Sequence, residues 1–214
     1  MKKNNKIEGV QPFNRFPFRS CYYHQLIAGL AAFEISAESI LLSCFVFPKK
    51  GFEIEKIVIP EKTLEKVLGY QNKRCNLSKK QLLRNIDMQR PVIVGVDCFY
   101  FESRLDTYQK MHDPHYVLVY GYDIDNGTLN VVDHNYRNSW EYSEKTIAMD
   151  NLLYASKMLR KKPLKRKTTM QVLKKCVAKK EDNSIILKKY KYELFQQAKI
   201  DSELNLETLK SMIS

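Results

Sequence analysis

Three residues of types that can share one reaction stand at three separated points of this 214-residue chain. Cys21 follows Ser20 and opens the apolar run CYYHQLIAGLAAF (21–33); His115 begins HYVLVYGYD (115–123); Asp133 ends TLNVVD (128–133). A thiol in the first turn of a helix gains from the amide dipoles there, and a neighbouring imidazolium lowers its pKa further. Together they can bring it from about 8.5 to well below neutral. A thiolate so prepared is a nucleophile, the imidazole moves its protons, and a carboxylate fixes the ring and stabilises its charged form. Each residue also has a plainer account. A cysteine in a buried helix is commonly a small apolar residue, and an aspartate at a strand end is commonly only that.

Other residues compete for these roles. His112, three positions before His115, falls in a loop and suits a substrate contact; His115 starts a strand, where neighbouring backbone fixes the ring, so it is the preferred base. His24, one helical turn beyond Cys21, is expected to cap or to face solvent. His134 is expected to face away from Asp133, because successive strand residues alternate faces. Asp97 and Asp123 are the fallback orienters. The register decides whether Asp133 can serve: a two-residue turn at Asn126-Gly127 pairs it with Tyr120, whereas a longer loop from Ile124 brings the pairing closer to His115.

These residues need elements to position them. Residues 1–20 read as an extended lead-in offering Phe13, Phe16 and Phe18 for packing. A largely buried helix is expected over 21–33 with Ser20 as its cap, and a second over 36–45. A strand follows at 52–59, then helices at 61–69 and 78–88, the latter with Ser78 and Gln81 in capping-box spacing. The apolar run PVIVGVD (91–97), then 115–123 and 128–134, supply strands, with the aromatic segment 98–114 as a loop or lid between the first two. A helix near 143–155, capped by Ser143, closes the domain, and 168–180 and 190–212 are further helical candidates. Helices first, then a small antiparallel sheet, then helices make an α+β arrangement.

Composition narrows the class. With 44% hydrophobic residues the chain can bury a substantial core. It has no apolar run of about 18 residues to insert into a membrane. The opening MKKNNKIEGVQPFNRF has no apolar stretch after its basic residues, so a cytoplasmic address is expected. Five scattered cysteines without a CxxC pair argue against a disulfide framework and against zinc, so neither a metal nor another cofactor is expected. The net charge of +12 is uneven: 157–214 holds 16 Lys and Arg against 6 Asp and Glu, and 1–156 holds 20 against 18. The expected division is a catalytic domain over 1–156 and a basic helical extension over 157–214. Such an extension invites an anionic partner. No zinc-finger spacing or RNA-binding aromatic motif accompanies the charge, so nucleic acid is not the expected partner.

The segments PVIVGVDCFYF, H..HYVLVYGYD and VVDH together resemble the N-terminal domain family of butirosin biosynthesis protein H. More distantly, they are similar to the bacteriocin-processing peptidases that cut double-glycine leaders. The resemblance covers about residues 13–150. It implies a papain-like fold, in which the chain order is Cys, His, Asp, and it places the triad on Cys21, His115 and Asp133. It also implies an acyltransferase of specialised-metabolite biosynthesis. Such an enzyme takes an aminoacyl group from an acyl carrier protein or peptidyl carrier domain and gives it to a small-molecule amine. Papain-like enzymes place an oxyanion-binding glutamine several residues before the cysteine. The candidates for that role are Gln11, ten residues upstream, and Asn14, seven upstream, while Arg15 occupies the expected spot. A transferase must exclude water, and Tyr100, Arg104, Tyr108 and His112 are the candidates for a lid over the substrate. The basic extension would then steer an acidic carrier.

Two other functions remain open on the same residues. One is a cysteine peptidase or amidase, since the triad suits hydrolysis equally. The other is a catalytically inactive papain-like module that only binds, which the poor oxyanion match and the unusual tail favour.

Overall fold

The structure is a computed structural model that describes residues 2–15, 21–37, 40, 45–48, 54–58, 65, 68–137, 139, 141–166 and 169–176. The chain divides into two compact units, one of 1–37 with 71–175 and one of 38–70 with 176–214. In the second unit, β2 (Phe45–Pro48) and β3 (Ile54–Val58) pair antiparallel. β3 lies within the strand expected over 52–59. Most of the helices expected over 36–45 and 61–69, the Ser20 cap, Phe16, Phe18 and the candidate 190–212 fall outside the described residues.

The first unit is built on a seven-stranded sheet. Its order is β4 (Tyr70–Cys75), β9 (Met170–Lys175), β5 (Val92–Asp97), β6 (Pro114–Asp123), β7 (Thr128–Asp133) and β8 (Ser143–Ala148). β1 (Asn4–Lys6), from the expected lead-in, pairs with the far end of β6. Antiparallel ladders join β1, β5 and β7 to β6, β9 to β5, and β8 to β7. β5 is buried at all six positions, which accounts for its unbroken apolar run.

Three α-helices are described: α1 (Cys21–Ala31), α2 (Lys79–Asp87) and α3 (Met149–Leu159). Ser78 caps α2 by accepting from Gln81 N at 3.3 Å, worth about 1 kcal/mol. Leu82, Leu83 and Ile86 turn the apolar face of α2 inward, each contributing about 1.5–3 kcal/mol of burial. α1 lies against β6 and β5. Gly29 permits that approach: a Cβ there would sit 2.6 Å from Leu173 Cδ1 and 3.1 Å from Leu118 Cδ1.

Two expected helices are strands in part. Residues 143–148 form β8, because SEKTIA pairs residue for residue with β7 from Asp133↔Ser143 to Thr128↔Ala148, and α3 begins only at Met149. Residues 170–175 form β9, paired with the buried edge of β5, where the side chains of Met170 to Leu173 are enclosed. In both cases ladder hydrogen bonds to a neighbouring strand outweigh a weak helical stripe.

The β6–β7 register is the detail that positions the site. Asp123↔Thr128 is the last pair, so the loop is Ile124–Gly127, the longer of the two expected, with Gly127 at φ +63°. An irregularity between Val119 and Gly121 then adds one residue to β6, so that Leu118 faces Val132. One step further, Asp133 stands opposite Val117. Without the extra residue it would stand opposite Leu118 and point to the other face of the sheet from His115. Glycine suits the bulge, since a Cβ on Gly121 would lie 2.6 Å from Asn130 Oδ1.

Candidate active site

Three elements converge on one buried cluster. β6 presents His115 two residues from Val117 on the same face, and β7 presents Asp133 diagonally beside it. His115 Nε2 and Asp133 Oδ1 are 2.7 Å apart, with His115 3% and Asp133 0% exposed. α1 brings Cys21: Gln25, one turn along the same helix face, donates from Nε2 to Tyr116 O at 3.1 Å and ties the helix to β6 beside His115. The half-buried Cys21 hydrogen-bonds the His115 ring, and the backbone of Tyr116 also supports its sulfur. The structure therefore brings Cys21, His115 and Asp133 together in the expected order.

Electrostatics in the cluster are coupled. Burial opposes ionisation of Cys21, but the charge and hydrogen bond of His115 outweigh it and hold the thiol below its ordinary pKa. Burial likewise opposes charge on His115, yet Cys21 and Asp133 push its pKa up to about 9. Burial would raise Asp133, and His115, with Lys145 adding to it, holds it below the usual carboxylate range. The cluster therefore favours thiolate, imidazolium and carboxylate over their neutral forms. Cys75 and Cys98 behave oppositely: burial raises Cys75, and pushes Cys98 up to about 12.

Residues that the sequence reading placed elsewhere complete the surroundings. Ser103 Oγ donates to Asp133 Oδ2 at 3.3 Å, so both carboxylate oxygens are engaged. His134 does not face away. β7 ends at Asp133, so strand alternation no longer governs the next residue, and the His134 ring meets His115 with centroids 4.9 Å apart. Arg104 Nη1 lies 3.1 Å from His134 Nε2. A guanidinium can only donate, so that nitrogen carries the lone pair and His134 is neutral. Burial and the His115 charge lower its pKa to about 4, with Arg104 acting in the same sense and Asp133 against. His24 is buried rather than capping: its Nδ1 lies 2.9 Å from Phe13 O, and its ring stacks on Tyr142.

The expected lid residues each have partners within the fold. Arg104 is 2% exposed, packed beneath the cluster between His134 and Asp106, and so cannot close over a substrate from solvent. His112 Nδ1 binds Asp97 Oδ2 at 2.7 Å, and its ring stacks on Phe99 at 4.5 Å, pinning the loop to the end of β5. This also commits Asp97, which accepts from Phe99 N as well. Asp123 is spent on Asn126 in the β6–β7 turn. Tyr100 packs edge-on to Tyr154 while its carbonyl accepts from Asn151, and Tyr108 accepts from Gln109. The two oxyanion candidates differ. Gln11 is exposed, and Asn14 accepts from Tyr142 N at 2.8 Å and donates to Tyr142 O at 2.9 Å.

One set of described groups has metal-ligand spacing: ligand atoms of His115, Asp133 and His134 lie within 4.8 Å of one another. The donor set does not suit a cation. Nε2 of His115 is hydrogen-bonded to Asp133, Nε2 of His134 receives Arg104, and the guanidinium charge is adjacent.

No protein-family profile matches the sequence. No curated protein matches it. Among solved structures, a proposed C39-like peptidase from Bacillus anthracis superposes with a TM-score of 0.51 at 12% identity, over 82% of this chain and 100% of that one. The chain thus has the α+β fold of the papain-like cysteine peptidases. No helix among the described residues is long and apolar enough to cross a membrane.

Proposed function

We propose that the chain is a cysteine-dependent acyltransferase that forms an acyl thioester on Cys21 and passes the acyl group to an amine. The observation that carries this reading is the continuous connection from Cys21 through His115 to Asp133, with the thiol lowered and the imidazole raised. Cys21 thiolate attacks the carbonyl of the donor, and His115 gives its proton to the leaving group. The incoming amine then attacks the acyl-Cys21, and its proton goes to His115. A carrier-protein thioester suits the donor, because exchange between thioesters is nearly isoenergetic and formation of the amide drives the second step. The resemblance of 91–134 to the butirosin protein H family supports transfer over hydrolysis, and with it an acyl carrier partner and specialised-metabolite chemistry. The 16 basic residues of 157–214 complement an acidic carrier.

A second reading, peptidase or amidase, is favoured by the likeness to the C39-like peptidase and uses the same first step with water as acceptor. Incubation with an aminoacyl carrier-protein thioester separates the two. Transfer predicts an acyl-Cys21 adduct by mass spectrometry and amide product when an aminoglycoside-type amine is added. Free acid alone, at a rate the amine does not change, contradicts transfer and favours hydrolysis. Because both readings need His115 protonated to expel the leaving group, turnover should fall as pH rises past about 9.

A further inference from the structure

The acyl-transfer reading requires a hydrogen-bond donor for the oxyanion; Gln11 is exposed, and Asn14 is engaged elsewhere. What Asn14 does instead is informative: its amide holds the main chain of Tyr142 at both N–H and C=O. The Tyr142 ring is 5% exposed and lies nearly flat on His24, with centroids 4.4 Å apart and planes at 18°. On another side it meets His134 at 4.5 Å. His24 stands three residues from Cys21 on α1, and His134 borders His115. The rings of His24, Tyr142, His134 and His115 therefore form a chain. It runs from the helical turn that carries the sulfur to the imidazole that faces it, and Tyr142 is in its middle.

We propose that the Tyr142 hydroxyl donates the hydrogen bond that stabilises the oxyanion formed when Cys21 attacks a carbonyl. This deepens the cysteine acyl-transfer reading and rests on it. Two features support it beyond the ring geometry. Burial, followed by the charges of Cys21 and Asp133 and opposed by Arg104, holds the phenol well above its ordinary pKa, so the group keeps its proton and can donate. Cys21 leads the charges acting on that phenol, in keeping with the ring's contacts with His24, three residues from Cys21, and with His134, which borders His115. The ring stack and the Asn14 clamp also fix the donor before reaction, so it needs no reorganisation as charge develops.

In the step itself, Cys21 Sγ forms a bond to the carbonyl carbon and the π pair moves onto oxygen. That oxygen accepts from Tyr142 O–H and from Cys21 N–H, a first-turn amide without an acceptor in its own helix. When the intermediate collapses the pair returns to the C=O bond, the leaving group departs with the proton of His115, and Tyr142 retains its own proton throughout.

The test compares full-length wild type, Tyr142→Phe and Cys21→Ala. The phenylalanine variant loses only the hydroxyl and keeps both the ring stack and the backbone clamp. Acylation by p-nitrophenyl acetate is followed as nitrophenolate release and as acetyl on the Cys21 peptide. Alkylation by iodoacetamide, a displacement that generates no oxyanion, is measured beside it. The expected result is a fall of about 10²–10³-fold in acylation by Tyr142→Phe with no matching fall in alkylation. Acylation of Tyr142→Phe at the wild-type rate overturns the proposal, and so does an equal fall in both reactions, which would mean that the thiolate itself was disturbed. If wild type acetylates no faster than Cys21→Ala, the acyl-transfer reading fails and this proposal goes with it.

Discussion

Cys21→Ala is expected to lower acyl transfer by about 10⁶-fold, to the level that substrate binding alone supports. His115→Ala should cost almost as much, and the double variant should be scarcely worse than either single one. The reason is that sulfur and imidazole act as a unit. Without His115, burial is the largest influence left on Cys21 and drives the thiol back toward its protonated form. Without Cys21, the imidazole has no nucleophile to serve. The strand ladders are main-chain and remain in both variants, but His115→Ala leaves the buried Asp133 without its counter-charge and so also costs stability. Single-turnover rates with a carrier thioester, beside circular dichroism on each variant, check this. Costs that multiply in the double variant would mean that the two residues act independently.

Asp133→Ala is expected to lower turnover by about 10⁴-fold, and Asp133→Asn by clearly less. Alanine leaves His115 Nε2 in a fully buried site with no acceptor, so the ring is free to turn and its charged form loses its counter-charge. Asparagine can keep the ring oriented because of Ser103. That hydroxyl donates to Asp133 Oδ2, and a hydroxyl can rotate to accept instead. The amide nitrogen would then face Ser103 and the amide oxygen His115. Steady-state kcat for the two variants, and for Asp133→Asn combined with Ser103→Ala, decides the matter. The combination should fall toward the alanine level; no difference between single and combined variants would remove Ser103 from the account.

Much of the framework was legible because it rests on short-range signals. The Ser78 cap, the apolar run of β5 and the glycine at the β6–β7 turn each declare their element within a few residues. Cys21, His115 and Asp133 could be singled out by residue type and by their places at element ends. What decided whether they meet was not local. The bulge between Val119 and Gly121 turns Asp133 to the His115 face, and its only trace in sequence is a glycine inside a strand. β8 and β9 were read as helices because their pairing partners lie far along the chain or were themselves unassigned in register. Arg104 looked like a solvent-facing lid residue because arginine usually is one; only the buried His134 beside it explains its place. Strand alternation gives His134 the wrong face and nothing local singles out Tyr142, because the places of both come from ring contacts across separate loops, which no spacing rule encodes.

The coupling of sulfur to imidazole is tested most directly by the rate of iodoacetamide alkylation at Cys21 across pH, in wild type and in His115→Ala. Peptide mapping separates Cys21 from Cys75 and Cys98, whose thiols are held in the protonated direction. Wild-type Cys21 should alkylate with a midpoint below the free-thiol value of about 8.5, and the variant's midpoint should rise to or above it, because burial then acts unopposed by His115. A wild-type midpoint at or above that value, or one that His115→Ala leaves in place, would contradict the account.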